Sequence, residues 1–309
     1  MIPAIRSAAG HQLYGVASRT AERVEAYAAE WSINHAYAHY EALLDDPNID
    51  VVYISLPNHM HKEWCLRAAA AGKHVLCEKP LVLTPQDVDE IAAAAQQNHV
   101  VIMEAFMYRH APRTLRVQEI LRDGELGKIG HFYGQYSDIL EFPSTFRWQP
   151  ETGGGSVWDI GCYPVSYARM VMGRNPVSVF AQAQWISAGV DYSMSGQLMY
   201  EDDTTAQVFS SFNLTYSISA DIYGDQGALL NKSPYSPKAV NPLWLVKDGR
   251  PNKVATPLSS TYREQVLNMG AAIRGEANQR ISLAESRDIC VVLCAMVESA
   301  MKGRPVKLS

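Results

Sequence analysis

Between Asp50 and Ala105 the chain alternates three short apolar runs with two helical stretches, and this alternation restricts the fold more than any other feature. The runs are Asp50 to Leu56, Gly72 to Cys77 and His99 to Ala105. A helix from about Lys62 to Ala71 joins the first two. A second runs from a start signal at Thr84-Pro85-Gln86-Asp87, a cap followed by a proline at the first helical position, to about Asn98. Strand–helix–strand units at this spacing predict a parallel sheet with right-handed crossovers and helices on both faces. Upstream, Met1 to Gly10 reads as a short helix with proline in its first turn, Gln12 to Ala17 as a strand, and Thr20 to about Trp31 as another helix.

A doubly wound sheet of this kind normally opens with a strand and a Gly-x-Gly-x-x-Gly turn, whose backbone N–H groups and following helix hold a pyrophosphate. No such turn is present: Gly153-Gly154-Gly155 and the glycines at 124, 127 and 130 do not match it, and no Walker-type loop occurs. The missing strand belongs in the centre of the sheet, so its absence would leave a strand edge exposed on each side of a gap. The first expectation is that the reading frame starts upstream and Met1 is internal. The alternative is a chain that has lost its phosphate loop, with another segment filling the gap.

After Met107-Tyr108-Arg109 the pattern changes. A helix from Pro112 to Arg122 precedes alternating segments at Phe132 to Leu140, Val177 to Ile186, Ser193 to Tyr200, Ala206 to Phe212 and Ser217 to Tyr223, which predict a large, mostly antiparallel sheet. Such a sheet turns one face to helices and leaves the other for a partner subunit. Thr261-x-x-Glu264 and Ser282-x-x-Glu285 read as capping boxes of two final helices. The expected division is an α/β Rossmann-like domain over 1–110, truncated at its start, and an α+β substrate and oligomerisation domain over 111–309.

The chemistry concentrates in two places. Glu78-Lys79-Pro80 ends the second apolar run, where a parallel sheet presents ligands, so Lys79 is the first catalytic candidate. Gly153-Gly154-Gly155 enters a helix carrying Asp159 and Tyr163, four residues apart and so on one face. A lysine beside a tyrosine can lower its pKa and make it an acid–base group. The same spacing also suits a helix-start carboxylate and a half-buried aromatic.

A net charge of −5 with 27 Lys and Arg spread along 309 residues offers no stripe for nucleic acid, and no apolar run has the length of a membrane span. A small-molecule partner is expected. Five cysteines without a Cys-x-x-Cys pair suit a reducing, cytoplasmic setting, and no secretory signal is apparent.

Glu78-Lys79-Pro80, the strand end Pro57-Asn58-x-x-His61, and Gly153-Gly154-Gly155-x-x-x-Asp159-x-Gly161-x-Tyr163 together resemble the Gfo/Idh/MocA oxidoreductases over nearly the whole chain. The resemblance implies a Rossmann domain followed by a mixed-sheet domain, with Lys79, Asp159 and Tyr163 serving hydride transfer. Where inositol dehydrogenase-like members carry histidine, this chain has Tyr163, which shifts the expected substrate toward an aldose, polyol or cyclic diol. Pro57, Asn58, His61, Glu78, Lys79 and Pro80 are then expected on the cofactor side. Ser18-Arg19, at the end of the second Rossmann strand, suits a 2′-phosphate, so NADP is expected with NAD as the alternative. Tyr163 would accept the proton while Lys79 lowers its pKa, although the two roles could be exchanged. Two other readings stand beside this one: a metal site at His59-Met60-His61, and a cofactor-free sugar-binding or regulatory descendant.

Overall fold

The computed structural model describes residues 1–141, 145–237 and 241–308. Its first half runs α1 (Ile2–Ser7), β1 (Gly15–Ala17), α2 (Ala21–Glu30), β2 (His35–Tyr37), α3 (Tyr40–Leu44), β3 (Val51–Ile54), α4 (His61–Ala70), β4 (His74–Cys77), α5 (Pro85–Gln97) and β5 (Ile102–Glu104). Each strand is parallel to its hydrogen-bonded neighbour, as the alternation requires. They form two sheets, however, β1–β2 and β3–β4–β5. Between them lies a cavity of about 1270 Å³ lined by β1 on one side and β3 on the other. No described segment fills it, so the expectation of a substitute strand elsewhere in the chain is not met among the described residues.

Strand burial follows this layout. Val75, Leu76 and Cys77 in the middle of the three-stranded sheet are buried, as is usual for parallel strands covered on both faces. In β1 no residue is buried, and Val51 at the edge of β3 is exposed despite being apolar. The short β2 and α3 went unforeseen because His35-Ala36-Tyr37 carries too little apolar signal to register as a strand.

The second half runs α6 (Pro112–Arg122), β6 (Ile129–Ile139), α7 (Cys162–Met172), β7 (Ser178–Trp185), β8 (Asp191–Met199), β9 (Thr205–Ser211), β10 (Asn213–Gly224), β11 (Ala228–Asn231), β12 (Leu243–Lys247), β13 (Arg250–Val254), α8 (Thr261–Ile273), α9 (Leu283–Lys302) and β14 (Val306–Lys307). Its nine strands are ordered β13-β12-β11-β10-β6-β9-β8-β7-β14, antiparallel except for β6 beside β9. Phe132, Met194, Leu198, Ala206, Val208, Ile218 and Ile222 point to one face and join the larger core under α7 and α9. Alternation sends Tyr133, Phe180, Phe209 and Tyr223 to the other face.

Both final helices also touch the first half, α8 against α1 and α9 against α5. Ser282 caps α9, its hydroxyl accepting the Glu285 N–H at 3.2 Å. The cap of α8 is Ser260, one residue before the expected Thr261, and Glu264 instead accepts the Ser259 hydroxyl at 2.6 Å.

Candidate active site

β4 ends at Cys77, and the next residues turn across its carboxyl end through a cis Lys79–Pro80 bond. The Glu78 carboxylate accepts the Tyr53 hydroxyl at 2.5 Å, so β3 braces the turn. From there Lys79 reaches across to the second half. Its Nζ donates to the backbone oxygen of Asp159 at 2.6 Å and to Oδ1 of the same residue at 2.9 Å. The same ammonium lies 5.2 Å from the centre of the Tyr163 ring. Lys79 thus meets Asp159, 80 residues away in sequence, and Tyr163, four residues beyond it.

Asp159 belongs to a single π-turn, Val157–Gly161, that leads into α7. Such a turn widens the helix locally and commonly marks functional sites. Here it allows Asp159 to grip Lys79 through both its backbone and its side chain. The other carboxylate oxygen accepts Nε of Arg147 at 2.7 Å. Burial works against the charge on Asp159, but Lys79 and Arg147 outweigh it and hold the pKa below the usual carboxylate range. For Lys79 burial likewise opposes the charge, but the attractions around it, that of Asp159 first among them, together outweigh burial and raise the pKa well above the ordinary lysine value. These surroundings favour the charged form of the lysine.

Tyr163 departs from the expected balance. Lys79 does lower its pKa, but burial is the larger effect and leaves the phenol well above its ordinary value. The reason is its surroundings: Phe106, Tyr136 and Tyr235 pack with ring centres 5.4 to 5.6 Å from that of Tyr163. Tyr136 points inward from β6 in step with Phe132 and Gly134, so strand alternation could have found it. Nothing in the sequence flags Arg147, which only the fold brings to Asp159.

The glycine run is tightly packed. Gly153 has φ +76°, and a Cβ there would come within 2.7 Å of the Leu83 side chain. Its carbonyl accepts the side-chain amide of Asn58 at 2.9 Å, which ties the loop to the end of β3. Gly155, at φ +110°, lies against Asp191. Asp191 Oδ2 accepts the Ser156 hydroxyl at 2.5 Å and the Val157 N–H at 2.9 Å, capping the site helix from β8. Burial raises its pKa to about 6. This remote cap carries no local sequence signal.

His61 is fully buried, with Nδ1 2.9 Å from the carbonyl oxygen of Pro80 and Nε2 2.8 Å from that of Leu56. It joins the ends of β3 and β4, a structural use that removes both ring nitrogens from cofactor and from the metal reading alike. Among the described residues no three His, Cys, Asp or Glu side chains converge on a metal position. Ser18, Arg19 and Pro57 border the inter-sheet cavity. Arg19 is exposed. The strand ends therefore suit the ribose and nicotinamide parts of a dinucleotide, whereas no described glycine turn offers N–H groups to its pyrophosphate.

Residues 1–106 match the family described as "Oxidoreductase family, NAD-binding Rossmann fold", and residues 114–230 match its "GFO/IDH/MocA C-terminal domain". The chain is 36% identical to D-xylose 1-dehydrogenase (NADP(+)) 2 of Haloferax volcanii, over 100% of this chain and 95% of the relative. It is 33% identical to trans-1,2-dihydrobenzene-1,2-diol dehydrogenase of Xenopus tropicalis, over 75% and 71% of the two chains. In fold it resembles the aldose-aldose oxidoreductase from Caulobacter crescentus crystallised with glycerol, with a TM-score of 0.92 over 99% of this chain and 95% of the other at 24% identity.

Proposed function

Because this chain belongs to the Gfo/Idh/MocA oxidoreductase family and is an NAD(P)-dependent enzyme, we propose that it interconverts a CH–OH group and a carbonyl on an aldose, polyol or cyclic diol, using NADP in preference to NAD. The observation that carries this reading is the meeting of Lys79, Asp159 and Tyr163 at the carboxyl end of β4.

The nicotinamide ring supplies the hydride acceptor or donor when bound. This chain supplies the proton and the charge. Lys79, kept cationic by Asp159, stabilises the oxygen of the reacting carbon as it becomes an alkoxide. Tyr163 carries its proton at neutral pH and delivers it to that oxygen during reduction; in oxidation the same phenol oxygen takes it back. Asp159 and Arg147 hold the lysine in place, and the half-buried Tyr136 ring, backed by the buried Tyr235, offers an aromatic surface for the face of a sugar.

The NADP preference rests on Ser18 and Arg19, since a guanidinium pairs with phosphate in a charge-assisted fork and no carboxylate stands there to favour a free 2′-hydroxyl. Five free cysteines, four of them buried, suit the reducing cytoplasm. The test is a panel of aldoses and cyclic diols assayed with NADP and NAD, for wild type and Arg19→Asp. Oxidation with an NADP preference that falls about tenfold or more in the variant is expected, and an unchanged ratio overturns the arginine assignment.

A second reading is a sugar-binding or regulatory protein that works without a cofactor, since among the described residues no glycine turn offers N–H groups to a pyrophosphate. Calorimetric titration separates the two. Sugar bound equally well with and without NADPH, in the absence of turnover, supports the second.

A further inference from the structure

Between Cys77 and Pro85 the chain forms neither helix nor strand, yet this segment carries Lys79. Its backbone groups are met one by one from neighbouring elements. The Glu78 N–H donates to the Ile54 carbonyl at 2.9 Å, and the Lys79 N–H donates to the Glu78 carboxylate at 3.3 Å. The Pro80 carbonyl oxygen lies 2.9 Å from Nδ1 of His61. Proline has no N–H, so Leu81 carries the first backbone donor beyond Lys79, and that donor goes to Oε1 of Glu104 at 2.8 Å. Further along, the Cys290 and Cys294 thiols of α9 donate to the carbonyl oxygens of Val82 and Leu83 at 3.9 and 3.4 Å.

The sheet places Glu104 for this contact. It ends β5 directly opposite Cys77, the last residue of β4, and the Ala105 N–H just beyond it donates to the Cys77 carbonyl at 2.7 Å. Glu104 is 2% exposed, α9 packs against β5, and the residue does not line the cavity between the two parallel sheets. A glutamate is seldom buried so completely unless its carboxyl group has a partner. An apolar side chain here would fill the space but leave the buried Leu81 N–H without an acceptor. Glu104 therefore acts on the turn, not on a ligand.

The consequence falls on the ammonium of Lys79. Its Nζ meets both the backbone oxygen and Oδ1 of Asp159, in the other half of the molecule, and it reaches both only from a fixed backbone position. The anchors on Pro80 and Leu81, immediately after the lysine, supply that position. A misplacement of about 1 Å in a group that meets the reacting atoms can cost on the order of a hundredfold in rate.

We propose that Glu104 is a positioning residue for the reaction: through the Leu81 N–H its carboxyl group fixes the turn after β4 and so holds Lys79 where it meets Asp159 and the oxygen of the reacting carbon. The kinetic consequence rests on the oxidoreductase reading above, whereas the brace on Lys79 can be measured without turnover.

The experiment compares the 309-residue wild type with Glu104→Met, which keeps the length and loses the acceptor, and Glu104→Gln, which keeps an acceptor oxygen. In the wild type the Leu81 amide should exchange its hydrogen as slowly as the amides of Val75 to Cys77. Glu104→Met should speed exchange at Leu81 at least tenfold. It should also speed labelling of Lys79 by an amine-reactive ester at least tenfold, read by mass spectrometry of the peptide. Glu104→Gln should return both to within about threefold of wild type. With the best aldose or diol of the panel and NADP, Glu104→Met should lose about ten- to a hundredfold in kcat while KM stays within about threefold, and Glu104→Gln should recover most of that loss. A merely structural role would move KM and melting temperature together and would not separate the two variants by their acceptor. Should Glu104→Met not fold, Glu104→Asp, which withdraws the carboxyl group by one methylene, should move Leu81 exchange and Lys79 labelling at least threefold in the same direction. The proposal is overturned if Leu81 exchanges freely in the wild type, if Lys79 labelling does not respond to loss of the acceptor, or if Glu104→Gln loses as much kcat as Glu104→Met. A wild type without turnover, but with the exchange and labelling pattern intact, sinks the oxidoreductase reading and supports the brace.

Discussion

Arg147 is the second cation on Asp159, and with Lys79 it keeps that carboxylate ionised in a buried place. Replacing it by methionine, which keeps length and loses charge, removes one of the two attractions that lower the Asp159 pKa. The acid limb of a kcat/KM profile should then move to higher pH. A limb that does not move would show that Arg147 shapes the loop without tuning the carboxylate. Glu104, at the end of β5, behaves in the opposite sense. It is buried, its Oε1 accepts the Leu81 N–H at 2.8 Å, and burial raises its pKa to about 7. The unfolded chain releases this proton near pH 4.3, so the contribution of Glu104 is full below that pH and is lost as the pH rises to about 7. The span is on the order of 3 kcal/mol. Urea unfolding at pH 5 and pH 8 should therefore show a smaller difference for Glu104→Gln than for wild type.

Among the elements, the π-turn and its glycine approach position the chemistry. The backbone at Gly155 lies in a region that side chains avoid, and a Cβ there would stand 2.1 Å from Asp191 Oδ1. Gly155→Ala should lower stability by about 1–3 kcal/mol from the backbone alone, with more from displacing the Asp191 cap, read as a drop in melting temperature. If the variant melts like wild type, the cap is not coupled to the glycine. The histidine between β3 and β4 shows the same economy, since the His61 ring holds two loops whose ends carry Asn58 and Lys79. Pro57-Asn58-x-x-His61 thus acts as scaffolding for the site at two of its three named positions.

At the scale of the whole molecule, the nine-stranded sheet has one face under α7 and α9 and another carrying Tyr133, Phe180, Phe209 and Tyr223 among glutamines. We propose a homodimer joined through this second face, which would take the apolar area these half-exposed rings still show to water out of solvent. Phe209→Lys should leave the fold intact and shift the sedimenting species from dimer to monomer. A wild-type chain that sediments as a monomer at micromolar concentration would remove this face from consideration as an interface.

Much of this was legible in the residues themselves. Period-two and period-3.6 patterns located the strands β3 to β10 and most helices, because local backbone preference and burial on one or two faces act over a few neighbouring residues. The lysine at a strand end, the Asp159–Tyr163 spacing and the glycine run were visible for the same reason. Tertiary structure decided everything that depends on distance across the fold. It joined Arg147 to Asp159 and placed Asp191 on the site helix. It turned His61 into a tie between loops, and it made burial outweigh the lysine at Tyr163. Each of these depends on which groups are excluded from water together, and that is a property of the packed chain rather than of any one segment of it.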